Sequence, residues 1–89
     1  MEYRGRASSA DVRFGRMVRA VLDLRGVRQH ALAAAIGVSP QTLNGKMNGR
    51  STWTLTEAHT VAHILGVPLG VLEMDPAEAL AELAEHHAA

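Results

Sequence analysis

The 89-residue chain has no cysteine, so neither a disulfide framework nor a metal site built on thiolates is possible. It also lacks an apolar run as long as a membrane-spanning helix, and nothing in it is typical of a signal peptide. The composition, 47% hydrophobic and 20% charged, is that of a folded globular protein. We therefore expect a single small, soluble, intracellular domain with a modest core.

Lysine and arginine are missing from residues 54–89. All nine lysines and arginines lie before Trp53, where three acidic residues oppose them, so residues 1–53 carry a net charge of +6. Six acidic residues and no basic one follow, which gives residues 54–89 a charge of −6 and the whole chain a charge of zero. A chain polarised in this way can present one positive face to a polyanion, or its two halves can attract each other.

Strand-like alternation is absent too, and helical periodicity takes its place. Residues 1–8 have no period and are expected to form a flexible basic arm. Ser8 and Asp11 have the spacing of a capping box, which predicts a first helix that ends at Gly26.

Two short helices follow in quick succession. Residues 28–36 are rich in alanine and contain no helix breaker, and Gly37 is suited to a left-handed C-cap. One residue further on, Ser39 and Pro40 form an N-cap and N1 pair. Helices joined by so short a turn must cross steeply, which predicts a helix-turn-helix at 28–48.

Three more helices are predicted beyond this unit. A fourth begins around Thr54, whose spacing to Glu57 again indicates a capping box, and it is expected to bury an apolar stripe made of Leu55, Ala58, Val61, Ala62 and Leu65. A short fifth helix follows Pro68. A sixth, thinly apolar helix is expected within residues 75–89, which would form a C-terminal helix and tail after a main domain at 9–74. The fold class is therefore all-α.

The stretch QHALAAAIGVSPQTLNGKMNG, residues 29–49, resembles the helix-turn-helix of the Cro/phage-repressor type, the XRE family. The matching positions are Gln29, Leu32, Ala33, Gly37, Ser39 and Leu43. Residues 54–73, TLTEAHTVAHILGVPLGVLE, are similar to the fourth and fifth helices of that family. The resemblance implies a compact five-helix, lambda-repressor-like domain, here extended by the short C-terminal helix.

The resemblance also implies a function. It predicts a sequence-specific DNA-binding transcriptional regulator of a phage or bacterium, most simply a repressor that binds a palindromic operator in double-stranded DNA as a homodimer. Such a protein would be cytoplasmic and nucleoid-associated and would need no cofactor. No Ser/His/Asp set, carboxylate dyad or phosphate-cradling glycine loop occurs, so we predict no enzyme.

The predicted DNA contacts lie on and around the third helix. The family positions that contact bases correspond to Pro40, Gln41, Asn44 and Gly45. The same four residues face outward on a helix that buries Leu43 and Met47. The amides of Gln41 and Asn44 can pair with adenine. Predicted phosphate contacts are Arg28, Gln29, Ser39, Thr42, Lys46, Asn48 and Arg50. Gly45 costs the helix about 1 kcal/mol relative to alanine, which close approach to the groove would offset.

Two departures from the family pattern are visible. Lys46 stands where relatives usually have an apolar residue. Leu22 and Met47 occupy positions that often carry an Arg–Glu ion pair, and we hypothesise that a hydrophobic contact replaces it.

Several further residues have two readings. Arg4 and Arg6 would either be disordered or enter the minor groove. Trp53 is expected to pack on the core or else to join Leu80 and Leu83 as a dimer contact. Three arginines of the first helix are expected to face solvent, namely Arg13, Arg16 and Arg19. His59 and His63 have metal-pair spacing but no evident third ligand, so a surface pair is expected.

The sequence also fits two alternative functions. The domain could be the antitoxin of a toxin–antitoxin pair, with the acidic C-terminal segment covering a basic protein partner. It could also be a domain that has lost DNA binding, as its zero net charge would allow. No membrane partner is expected.

Overall fold

The computed structural model describes residues 8–74, 77–78 and 81, and within these residues the chain is all-α. Five helices follow one another: α1 Ser9–Arg25, α2 Gln29–Ile36, α3 Pro40–Met47, α4 Leu55–Leu65 and α5 Leu69–Leu72. The all-α prediction is confirmed. Residues 1–7 of the predicted arm and most of the predicted C-terminal helix lie outside the described residues, and so do Arg4, Arg6, Leu80 and Leu83. Ser8, the last residue of the predicted arm, is the N-cap of α1.

Two helices begin with the capping boxes that the sequence predicts. Before α1, the Ser8 hydroxyl accepts from the Asp11 N–H at 3.1 Å, and the Ser8 N–H donates to the Asp11 carboxylate at 3.1 Å. Before α4, the Thr54 hydroxyl accepts from the Glu57 N–H at 3.0 Å, and the Thr54 N–H donates to the Glu57 carboxylate at 2.9 Å. Each box gives partners to N–H groups that a helix start leaves unpaired.

Asn48 and Gly49 end α3. Asn48 is the C-cap, and Gly49 has a φ of 79°, in the left-handed region that favours glycine. The Arg50 N–H then donates to the Gly45 carbonyl at 2.8 Å, which closes the last turn.

All five helices contribute to one core. α1 packs on α3, α4 and α5, and α2 packs on α3 and α4. The fully buried side chains come from every helix and include Leu32, Leu43, Met47, Leu72, Val18, Val21, Val61 and Val71. Leu22 and Met47 are 3% and 2% exposed in this same core, while their direct contact stays a prediction.

α1 and α3 come unusually close at Gly15. A Cβ atom at this position would lie 2.6 Å from the Lys46 carbonyl oxygen and 3.0 Å from that of Met47. The missing side chain therefore allows the C-terminal turn of α3 to rest directly on α1.

The prediction that α4 buries Leu55 is wrong. Leu55 is the first residue of α4 and is 70% exposed, because it lies at the margin of the core where α4 begins. The other four residues of the predicted stripe are buried. None of the helices in the described part of the chain combines the length and hydropathy needed to cross a bilayer.

Candidate nucleic-acid interface

A three-residue turn sets the angle between α2 and α3. Gly37 adopts a left-handed conformation, and the Val38 N–H returns to the Ala33 carbonyl at 3.0 Å. Ser39 is extended and caps α3, since its hydroxyl accepts from the Thr42 N–H at 3.1 Å. Pro40 then occupies the first turn, where a missing N–H has no consequence. These are the local features that the sequence predicts for a helix-turn-helix.

α3 has one buried side and one polar side. Leu43, Lys46 and Met47 are buried. On the other side, Pro40 and Gln41 are exposed, and Asn44 and Gly45 are half-buried. The structure thus brings the four predicted base-contact residues together on the outer side of one helix, although their role toward DNA stays a prediction.

Most predicted phosphate contacts are at the surface. Arg28 is exposed before α2, and Arg50 is exposed after α3. Ser39, Thr42 and Asn48 are exposed as well, and Gln29 is half-buried at the first position of α2. A basic or polar side chain is therefore available at both ends of the helix-turn-helix.

Lys46 is the exception, and we withdraw it from the predicted phosphate contacts. It is 8% exposed, and its ammonium donates to the Thr52 carbonyl at 2.7 Å and pairs with the Glu57 carboxylate at 3.0 Å. The same ammonium lies 5.9 Å from the centre of the Trp53 ring, within the range of a cation–π contact. A lysine therefore fills the position where relatives are apolar, because its charge is satisfied inside the protein.

The ion pair affects the titration of Glu57. Partial burial is the largest influence and acts to raise the pKa of the Glu57 carboxyl. The Thr54 N–H and the Lys46 ammonium stabilise the charged form more strongly in sum, so the pKa lies below its ordinary value.

The loop after α3 is fastened to α1 by Asp11. The Asp11 carboxylate accepts from the Trp53 N–H at 3.0 Å, in addition to its bonds with Ser8. Burial again acts to raise the pKa of the Asp11 carboxyl, but the hydrogen bonds from Trp53 and Ser8 outweigh it and the pKa is lowered. The Trp53 ring packs edge-on against Phe14, with centroids 5.1 Å apart, which agrees with the core reading of this tryptophan.

Arg19 differs from its predicted place in solvent. It is half-buried, and its guanidinium reaches from α1 to α3, donating to the Asn44 amide oxygen at 3.1 Å and to the Asn48 amide oxygen at 3.3 Å. Arg13 and Arg16 are exposed as expected. Local periodicity could not reveal this contact, because Arg19 and Asn44 are 25 residues apart and meet only once α1 packs on α3.

The two histidines of α4 are exposed. Among the residues that the structure describes, no group of three or more histidine, aspartate and glutamate side chains could hold a metal ion around them.

The chain is similar to a known protein family and to several solved structures. The model of the helix-turn-helix family matches residues 18–72. No curated protein matches the chain. Ten chains among the solved structures match this one, and three of them follow.

The first is the restriction-modification controller protein C.AhdI from Aeromonas hydrophila, with a TM-score of 0.63 and 24% identity over 68% of this chain and 88% of that one. The second is the clp gene regulator ClgR from Corynebacterium glutamicum, with a TM-score of 0.70 and 26% identity over 92% of this chain and 84% of that one.

The third is the hydroxypropylphosphonic acid epoxidase from S. wedmorenis, with a TM-score of 0.66 and 28% identity over 79% of this chain. The similarity covers 37% of the epoxidase chain, so it concerns only part of that enzyme.

Proposed function

Because this chain belongs to the helix-turn-helix family of the XRE type, whose members are DNA-binding transcriptional regulators, we propose that it is a sequence-specific repressor that binds a palindromic operator as a homodimer. The observation that carries the proposal is the outer side of α3. This eight-residue helix is anchored by buried Leu43 and Met47, and it presents exposed Gln41 in its first turn. A helix of this kind can enter the major groove with its N-terminal residues against base edges.

Base reading in this proposal falls to Pro40, Gln41, Asn44 and Gly45. Gln41 is the residue best placed for a bidentate contact with adenine, since its exposed amide can offer both a donor and an acceptor. Pro40 and Gly45 have no side-chain hydrogen-bonding group and contribute shape. Direct readout therefore depends on two amides.

Phosphate contacts in this proposal come from residues that flank the outer side of α3: Arg28, Gln29, Ser39, Thr42, Asn48 and Arg50. Gln29 opens α2, where unpaired N–H groups and the helix dipole favour an anion. Removing one charge, as in Arg28→Gln or Arg50→Gln, is expected to weaken binding to all sequences alike. Each variant should also reduce the slope of log affinity against log salt by about 1.

Selection of bound sequences from random double-stranded DNA tests the readout. The wild-type protein, Gln41→Ala and Asn44→Ala are compared. We expect a roughly palindromic consensus for the wild-type protein, and loss of preference at particular base pairs for each variant. Uniform weakening at every position would instead mean that these amides touch only the DNA backbone.

A dimer is part of the proposal because one short helix reads too few base pairs for useful specificity, whereas two copies read two half-sites. The Trp53 ring already packs against Phe14 and Lys46 within the same chain. We therefore assign the main dimer contact in this region to Leu55. Leu55 is 70% exposed and borders a concavity between α1, α4 and α5 that Phe14 and Leu69 also line. An apolar surface of this kind fits a second copy of the same chain.

Sedimentation of Leu55→Glu at several concentrations tests this surface. Leu24→Glu is the matched control, because Leu24 is also a large apolar residue and is 56% exposed. It lies near the C-terminal end of α1, whereas the α1 residues that line the concavity lie near the N-terminal end. We expect Leu55→Glu alone to shift the protein toward the monomer. Equal dimerisation of the wild type and both variants would remove Leu55 from the proposed interface.

A further inference from the structure

One guanidinium connects two asparagines on the outer part of α3. Asn44 and Asn48 are one helical turn apart, so their side chains lie on the same side of the helix. Arg19 Nη2 donates to Asn44 Oδ1 at 3.1 Å and to Asn48 Oδ1 at 3.3 Å. The contact crosses from α1 to the helix that meets DNA in the proposed function.

This contact determines which way the two carboxamides are turned. Arginine has five N–H donors and no acceptor, so only the oxygen of an asparagine amide can face it. For Asn44, the oxygen is therefore directed toward α1. The amino group is the part of the amide left for another partner, and it can only donate.

An amide that can only donate hydrogen bonds and an amide that can both donate and accept prefer different bases. To pair bidentately with adenine, an asparagine must accept from N6 and donate to N7 at the same time. An amide whose oxygen is already held by Arg19 is better suited to acceptors alone. In the major groove guanine offers two adjacent acceptors, N7 and O6, whereas cytosine offers a donor.

We propose that Arg19 is a positioning residue that sets the base preference of Asn44, committing its amide to donate and so favouring guanine over adenine at one base pair of each half-site. The inference rests on the proposed function, because it needs α3 to lie in the major groove. It differs from a phosphate role for Arg19, which would carry no preference for one base. Holding the amide before binding also reduces the ordering needed on the DNA.

The first test needs no DNA. Thermal unfolding of Arg19→Gln, Asn44→Ala and the double variant gives the coupling between the two residues. The expected result is that Asn44→Ala lowers the melting temperature less in the Arg19→Gln background than in the wild type. Equal effects in both backgrounds would overturn the inference, whatever the protein does with DNA.

The second test repeats the selection from random double-stranded DNA. Asn44→Ala identifies the base pair in question as the one at which preference is lost. At that base pair Arg19→Gln, which offers an acceptor as well as donors, is expected to lower the guanine-to-adenine preference about five- to tenfold, the lower end of what one bidentate contact gives. Arg19→Lys, which can only donate, should retain most of it, and Arg13→Gln removes the same charge from α1 as a control for net charge.

The outcomes separate the inference from the proposed function. If the wild-type protein selects a consensus and Arg19→Gln binds all sequences more weakly with an unchanged preference, Arg19 acts on phosphate and the inference is wrong. If the wild-type protein selects no consensus although the unfolding experiment shows coupling, the proposed function fails, and the base-preference role fails with it while the Arg19–Asn44 contact stands. A loss of guanine preference confined to one base pair of the half-site supports both.

Discussion

Gly15 lies where the backbone of α3 comes closest to α1, and replacing it with alanine should force the two helices apart. The new Cβ would meet the Lys46 carbonyl oxygen at 2.6 Å, the Met47 carbonyl oxygen at 3.0 Å and the Met47 Cα at 3.1 Å. All three neighbours are backbone atoms, which cannot rotate away as a side chain would. Bringing the shortest of these distances to an ordinary contact of about 3.4 Å requires a shift of about 0.8 Å.

The expected loss of stability can be estimated from two opposing effects. Inserting a methyl group into a closely packed contact typically costs about 1–3 kcal/mol, and backbone neighbours favour the upper end. Alanine is better than glycine in a helix interior by about 1 kcal/mol, which offsets part of this. We therefore expect Gly15→Ala to lower the free energy of unfolding by about 2 kcal/mol, or the melting temperature by roughly 8–16 °C for a domain of this size.

Thermal unfolding followed by circular dichroism measures the effect, and Gly45→Ala is the matched control. Gly45 also lies inside a helix, but its Cβ would meet only the Arg50 Cβ, at 4.0 Å, which is an ordinary contact. Gly45→Ala should therefore raise the melting temperature by roughly 4–8 °C, from the same propensity of about 1 kcal/mol. A Gly15→Ala protein that melts at or above the wild-type temperature would refute the close approach of α1 and α3.

Three further predictions follow from the core and the interface. In DNA-binding assays Gly45→Ala should bind more weakly than the wild type despite its greater stability, and tighter binding would show that close approach to the groove is not why glycine is there. The pKa values of Asp11 and Glu57 are lowered in the folded protein, so the charged carboxylates stabilise it at any pH above their unfolded-state pKa values, which are near 3.8 and 4.5. This stabilisation is lost as the pH falls through the lower folded-state pKa values. Acid titration of the melting temperature should therefore show a steeper decline for the wild type than for Glu57→Gln. Met47→Glu should melt well below the wild type, because it places an unpaired charge at a position that is 2% exposed, and an unchanged melting temperature would mean that this site is open to water.

The parts of the fold that could be predicted are those determined by residues close together along the chain. Ser8 with Asp11, and Thr54 with Glu57, form capping boxes within four residues of chain, so their spacing is enough to predict the helix starts. Gly49 ends α3 for an equally local reason. The order of the five helices and the three-residue turn between α2 and α3 follow from such signals.

The side-chain interactions of Lys46 and Arg19 that the sequence does not predict join different helices. The exposed face expected for Lys46 was wrong because the position of α4 relative to α3, which brings Glu57 within 3.0 Å, is not encoded near Lys46. The contact of Arg19 with Asn44 is unpredictable for the same reason, because the two residues are 25 positions apart in the chain. Leu55 fitted the apolar period of α4, but periodicity does not tell where along a helix the core ends.

The burial of Lys46 has a consequence for how salt and sequence act on this protein. Lys46 is the single charged residue of α3, and its charge is neutralised by Glu57 inside the domain. In the proposed complex the helix in the groove would therefore offer no unpaired side-chain charge to the DNA. The attraction to phosphate would come from arginines on the elements around α3. Raising the ionic strength should then lower the affinity for every site by a similar factor and leave the ranking of operators unchanged. Discrimination between sites and attraction to DNA would be adjusted by separate sets of residues, and mutations could change one without the other.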